Sequence, residues 1–240
     1  PALRIAETRP VIAFDRPGFG YTTRQKTEDA WDPAVQARLL RAASAELGIE
    51  KPILVGHSWG AALALALALD APGGVSGVVP VSGVTMPYRG AARVFRFLGV
   101  NAVVAWLYTE YIKSTMDNGG VERFLERVFR PQEPPEGYAD YVGAPLALRE
   151  TTLAANSVDI QNLNIALQRM APAYPDLRVP VRIVHGGADF IPADKHAAGL
   201  AETLPDAELA ILPGVGHMAH HVATDAIIGA LDTIDRGSAA

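Results

Sequence analysis

Three residues of this chain have the types and settings needed to attack a carbonyl carbon: Ser58, Asp189 and His217. Ser58 lies in Gly56-His57-Ser58-Trp59-Gly60, a G-x-S-x-G stretch between a short apolar run and a long Ala/Leu segment. Between a strand and a helix, that pattern makes a sharp turn which lifts a serine hydroxyl clear of the backbone, with glycines two positions away leaving room for the flanking elements. The N-terminus of the following helix points its partial positive charge at the same spot, where negative charge would develop on an attacked carbonyl. A serine hydroxyl is a weak nucleophile, so it needs a base in contact and a third group to orient that base. His217 in Gly214-Val215-Gly216-His217 supplies an imidazole, and Asp189 in His185-Gly186-Gly187-Ala188-Asp189 supplies a carboxylate.

Two other residues compete for these roles. His220 is an alternative base, although the Gly-x-Gly-His setting favours His217. Asp194 is an alternative acid, although its place suggests a helix N-cap. His57 reads as a structural neighbour of the turn. His217, His220 and His221 have spacings that could hold a metal, but no carboxylate of the H-E-x-x-H kind accompanies them, so neither a metal nor any other cofactor is expected.

The elements that must position these groups alternate. Residues 10–14 are a short apolar run closed by Pro and Gly, read as a buried strand. Asp32 reads as an N-cap with Pro33 at the first helical position, and Val35, Leu39, Leu40, Ala43 and Leu47 follow at helical spacing up to Gly48. Residues 52–56 form the next expected strand, residues 58–70 a helix apolar nearly all round, and residues 77–82 a third strand. The β-α-β-α-β order implies a parallel sheet. From about residue 86 to 175 the strand signal gives way to helical patterns such as Val121, Phe124, Leu125 and Val128. Alternation resumes with a strand at 181–185, a helix at 194–204, a strand at 208–212 and a closing helix at 223–234. Residues 1–85 and 176–240 therefore read as one α/β core, and 86–175 as a helical cap inserted into it.

Composition narrows the partners. With 49% hydrophobic and 20% charged residues and a net charge of -5, the chain can bury a large core but offers no basic surface for nucleic acid. A small-molecule substrate is the default partner. The chain has no cysteine, which fits a reducing compartment and makes the cytoplasm the expected location. Its longest apolar run, residues 61–69, is well short of the ~20 residues that span a bilayer, so no stable membrane insertion is expected.

The chain resembles the α/β-hydrolase superfamily, in particular its capped, serine esterase-like members. Four segments carry the resemblance in order: Phe14-Asp15-Arg16-Pro17-Gly18-Phe19-Gly20, Val55 to Gly60, His185 to Asp189 and Gly214 to His217. The resemblance implies an α/β-hydrolase fold, a mostly parallel sheet flanked by helices with a helical cap. It also implies a Ser58-Asp189-His217 triad and an oxyanion hole built partly from the Trp59 N–H. Dehalogenases and epoxide hydrolases of the superfamily carry aspartate at the elbow; Ser58 points instead to acyl transfer, and so to ester hydrolysis. Perhydrolysis, carbon–carbon bond hydrolysis and a non-catalytic binding or accessory role are the alternatives. Phe95, Trp106, Tyr108 and Tyr111 are candidate substrate-binding residues in the cap. In the family, the second oxyanion donor and a strand lying between residues 10–14 and 52–56 come from a segment preceding those shown here. An upstream segment or a second chain is therefore expected to complete the sheet, and the sequence does not fix an oligomeric state.

Overall fold

In the computed structural model, which describes residues 1–88 and 119–238, a four-stranded parallel sheet forms the centre. Its strands are β1 (Ile53–His57), β2 (Gly77–Val81), β3 (Val181–Gly186) and β4 (Ala207–Leu212), lying side by side in chain order. Parallel neighbours require crossovers, and helices cover both faces accordingly. On one face lie α2 (Pro33–Glu46) and α3 (Trp59–Asp70), whose Leu65 and Leu67 share a buried cluster with Val78, Val181 and Ile183 and with Ala197 and Leu200 from the chain after β3. On the other, α10 (Thr224–Ser238) and the short α1 (Ala2–Ala6) cover Val79, Val81 and Val184. The alternation of these residues along β2 and β3 is the period-2 pattern of a strand covered on both sides. The uniformly apolar α3 is buried along nearly its whole length, as a helix without a polar face must be.

Between β2 and β3 the described chain is helical: α4 (Gly120–Phe129), α5 (Tyr138–Tyr141), α6 (Ala144–Ala147), α7 (Glu150–Met170) and a 3-10 turn, Ala171–Asp176. After β3 come a π-helical turn, Asp194–Ala198, then α8 (Gly199–Thr203), β4, α9 (Ala219–Val222) and α10. The long α7 packs onto α3 through Leu163, Ala166 and Leu167. Its Asn164 clamps the Tyr88 backbone, accepting from its N–H and donating to its carbonyl, both at 2.9 Å. His196 receives the Thr85 and Met86 N–H groups on Nδ1 at 3.3 and 3.2 Å. The chain leaving β2 is thus tied to α7 and to the π-helical turn.

Two sequence expectations fail here. Residues 10–14 form no strand: among the described residues they make no ladder to any neighbour, and Ile12 is 53% exposed. An extended segment becomes a strand only by pairing, and the outer edge of β1, where Val55 is 47% exposed, has no partner among the described residues. Asp194 is not a cap; it opens the π-helical turn and makes no side-chain capping bond. Asp32, by contrast, caps α2, its Oδ1 accepting the Ala34 N–H at 3.0 Å, while Oδ2 pairs with Arg169 of α7 at 2.6 Å. Replacing Asp32 with Ala removes a helix cap and the tie between α2 and α7. Urea unfolding is expected to show a loss of about 1–2 kcal/mol with an unchanged m-value.

Candidate active site

Ser58 lies between β1 and α3 with φ 54° and ψ -117°, a conformation that costs a non-glycine residue roughly 1–3 kcal/mol. Surrounding bonds hold it there: its N–H donates to Val81 at 3.0 Å, and its carbonyl accepts from Ala61 and Val84, each at 3.2 Å. The turn is tight on one side only. A Cβ on Gly56 would overlap the Gly60 carbonyl, so glycine is obligatory there, whereas a Cβ on Gly60 would meet open space. The expectation that both glycines relieve crowding therefore holds for Gly56 alone.

Asp189 and His217 are brought together by the loops that follow β3 and β4. The loops are laced by backbone bonds from Gly187 N–H to the Leu212 carbonyl and from Ala188 N–H to the Val215 carbonyl, both at 2.8 Å. Across this seam His217 Nδ1 lies 3.0 Å from both oxygens of Asp189, and the carboxylate also accepts the Ile191 N–H on Oδ1 at 2.9 Å. Burial pushes the Asp189 carboxyl up. The bond from His217, the Ile191 N–H, the charge of His217 and the Ser82 hydroxyl outweigh that push, and the pKa lies below its ordinary value. Asp189 is thus an anion, and the nitrogen of His217 that faces away from it is left free to accept a proton.

One glycine in each of these two segments has a steric reason. A Cβ on Gly216 would overlap the Arg130 carbonyl at the end of α4, and one on Gly186 would strike the Val215 and Gly216 carbonyls. Gln132 holds the same loop from the α4 side, donating to the Gly214 carbonyl at 2.6 Å and accepting the Gly216 N–H at 3.0 Å. The chain between β2 and β3 therefore presses directly on the loop that carries His217.

His57 lies against this pair. Its Nε2–H donates to the His217 carbonyl at 2.9 Å, and its ring centroid is 4.7 Å from that of His217. His220 packs on His57 with ring centroids 4.0 Å apart and bonds to no carboxylate among the described residues. His221 accepts from or donates to the Tyr138 hydroxyl at 2.7 Å. These rings pack on one another, and among the described residues no group of three or more His, Cys, Asp or Glu is placed to hold a metal ion. No hydrogen bond joins Ser58 Oγ to His217 among the described residues.

The elbow is also tied to α7. The fully buried Asp159 pairs with Arg16 at 2.7 Å and Arg24 at 2.8 Å, and Arg16 lies between the rings of Phe19 and Trp59, 3.8 and 4.1 Å from their centroids. The Trp59 indole N–H donates to the Asp159 carbonyl at 3.3 Å. Motif reading missed this network, though Arg16 lay in plain view in the 14–20 segment. It also missed Phe190, 61% exposed with its ring 4.5 Å from that of His217. Adjacency to Asp189 was the available signal. The expected substrate-binding residues Phe95, Trp106, Tyr108 and Tyr111 lie outside the described residues.

A model of the α/β-hydrolase fold matches residues 4–224. The chain belongs to the α/β-hydrolase family. It is 26% identical over 227 residues to RutD of Shigella flexneri, provisionally named a carbamate hydrolase, covering 90% of this chain and 78% of that protein. It is 27% identical over 226 residues to a 2-hydroxy-6-oxononadienedioate/2-hydroxy-6-oxononatrienedioate hydrolase of Comamonas testosteroni, covering 90% and 73% of the two. The crystal structure of 2-hydroxy-6-oxo-6-phenylhexa-2,4-dienoate hydrolase from Rhodococcus sp. strain RHA1 shares the fold, with a TM-score of 0.69, 21% identity, and coverage of 91% of this chain and 77% of that one. An α/β-hydrolase enzyme is what fold and relatives jointly establish. Among the described residues, no helix is long and apolar enough to cross a membrane.

Two measurements test the site's packing and charge. Gly216→Ala forces a side chain into the Arg130 backbone, and a loss of about 1–3 kcal/mol in denaturant unfolding is expected. Burial and the charge of His217 lower the His57 pKa to about 4, and burial and Lys195 lower that of His196 to about 4, both from an ordinary 6.5. Between those values the unfolded chain takes up protons that the folded chain refuses. Stability should therefore fall as pH drops from about 6.5 to about 4, by at most ~1.4 kcal/mol per pH unit for each histidine, as read by melting temperature against pH.

Proposed function

We propose that this enzyme is a serine hydrolase that cleaves a carboxylic ester of a small, largely apolar substrate through an acyl-enzyme. The observation that carries the reading is the Asp189-His217 pair, bonded at 3.0 Å at the same end of the sheet as the strained Ser58 turn. Ser58 Oγ attacks the acyl carbonyl while the free nitrogen of His217 takes its proton, and Asp189 holds the ring and stabilises the imidazolium. The imidazolium then gives its proton to the leaving alcohol. Water, deprotonated by the same nitrogen, hydrolyses the acyl-enzyme and restores Ser58. Catalytic hydrogen bonds are commonly long in ligand-free sites and tighten with substrate, so the scheme needs no Ser58–His217 bond before substrate arrives.

Trp59 N–H, at the start of α3, is the first oxyanion donor in this scheme. The second is assigned to the loop after a further strand, from a preceding segment or a second chain, pairing with the edge of β1 that has no partner among the described residues. The exposure of Val55 and Ile12 supports that assignment. The helices between β2 and β3 act as a cap, and the exposed Phe190 ring forms one apolar wall beside the base.

A second reading has its own support. The Comamonas relative is named a hydrolase of 2-hydroxy-6-oxononadienedioate, and the same nucleophile and base would serve the carbon–carbon bond hydrolysis of such a vinylogous diketone. A fluorophosphonate probe and a p-nitrophenyl ester series applied to wild type and Ser58→Ala separate these outcomes. Labelling and ester turnover are expected in wild type, with both lost in the variant. Labelling of both proteins or of neither removes Ser58 as nucleophile, and Ser58-dependent turnover of a vinylogous diketone in preference to every ester moves the assignment to the second reading.

A further inference from the structure

We infer that His185 is a positioning residue for the acid of the triad. Its ring grips the turn that aims Asp189, so the orientation of His217 depends on a second histidine that never meets substrate. This rests on the triad reading and extends it one layer inward.

His185 is the fifth residue of β3 and is fully buried. A histidine there costs more to bury than an apolar residue, because two ring nitrogens lose water. Only one is compensated. Nε2 lies 3.0 Å from the Ile191 carbonyl oxygen, and Nδ1 has no hydrogen-bond partner. A carbonyl can only accept, so Nε2 must carry the hydrogen, which fixes the tautomer. The same nitrogen lies 3.5 Å from Asp189 Oδ2, on the side of the carboxylate away from the Ile191 N–H.

The residue that His185 grips is the one that aims the acid. Ile191 donates its N–H to Asp189 Oδ1 and gives its carbonyl to His185, so both polar groups of that residue are engaged. The turn 189–191 is closed at one end by the carboxylate and at the other by the imidazole. Phe190, between them, is left facing outward against the His217 ring. Without the His185 bond the Ile191 carbonyl loses its buried donor, the turn is free to rotate, and the carboxylate loses the fixed angle at which His217 Nδ1–H meets it. An apolar residue of similar volume would fill the space in β3 but could not supply that donor. A glutamine could, because its side-chain amide nitrogen reaches the place of Nε2.

The test compares His185→Met with His185→Gln in the ester assay, with Ser58→Ala as the reference. For His185→Met, kcat is expected to fall about ten- to a hundredfold with little change in KM, the scale of a misaligned catalytic group. The acid limb of kcat/KM against pH should move to lower pH, because an imidazolium that loses its aligned carboxylate gives up its proton more readily. His185→Gln should recover most of the kcat and return the limb. A role in packing alone would lower stability without moving that limb, so wild-type kcat and limb in His185→Met overturn the inference, as does equal impairment of both variants with an unmoved limb. Turnover that survives Ser58→Ala defeats the triad reading instead. Should His185→Met fail to fold, nitrogen-15 chemical shifts of the wild-type His185 ring decide: hydrogen on Nε2 is required, and hydrogen on Nδ1 alone overturns the inference.

Discussion

The bond between His217 Nδ1 and Asp189 constrains the architecture more than any other interaction, because its partners lie on two different loops. Those loops leave β3 and β4, and the residues reach each other only if the strands run parallel and in register. The pairing of Gly186 with Leu212 at the ends of the two ladders sets that register. A slip of one residue would turn the side chains of β4 to the opposite face and carry the start of the His217 loop away from Asp189. The apolar residues that fix β3, Val181 and Ile183 on one face and Val184 on the face covered by α10, therefore act on the geometry of a polar pair well above them.

Control of the site comes also from outside the sheet. Gln132 and the Arg130 carbonyl press on the His217 loop, Asp159 holds Arg16 against the Trp59 ring, and Asn164 and His196 hold the chain as it leaves β2. Each contact joins the helical insertion, or a turn packed beside it, to a loop of the site.

The histidines show how burial divides similar side chains among different tasks. His57 and His196 are held mostly uncharged by desolvation, and both use a ring nitrogen to fix backbone. His217 instead meets the buried Asp189 carboxylate through Nδ1, 3.0 Å from its oxygens. Chemistry is assigned by neighbours, and three of the chain's six histidines lie in these distinct settings.

The sequence by itself determined the order of the elements and the identity of the chemical groups. Gly56 to Gly60, the capping Asp32, the apolar α3 and the loops ending in Asp189 and His217 could be read because each depends on local rules: turn sterics, capping and hydrophobic period. Only the tertiary structure decided matters that depend on a distant partner. Residues 10–14 have a strand's composition yet pair with nothing among the described residues, since a ladder needs a neighbouring edge. The grip of His185 on Ile191, the stacking of Arg16 between Phe19 and Trp59, and the contact of Phe190 with His217 left no spacing signature. Side-chain contacts between separate loops are set by how the strands stack, and one chain's residue order records them only through the fold it produces.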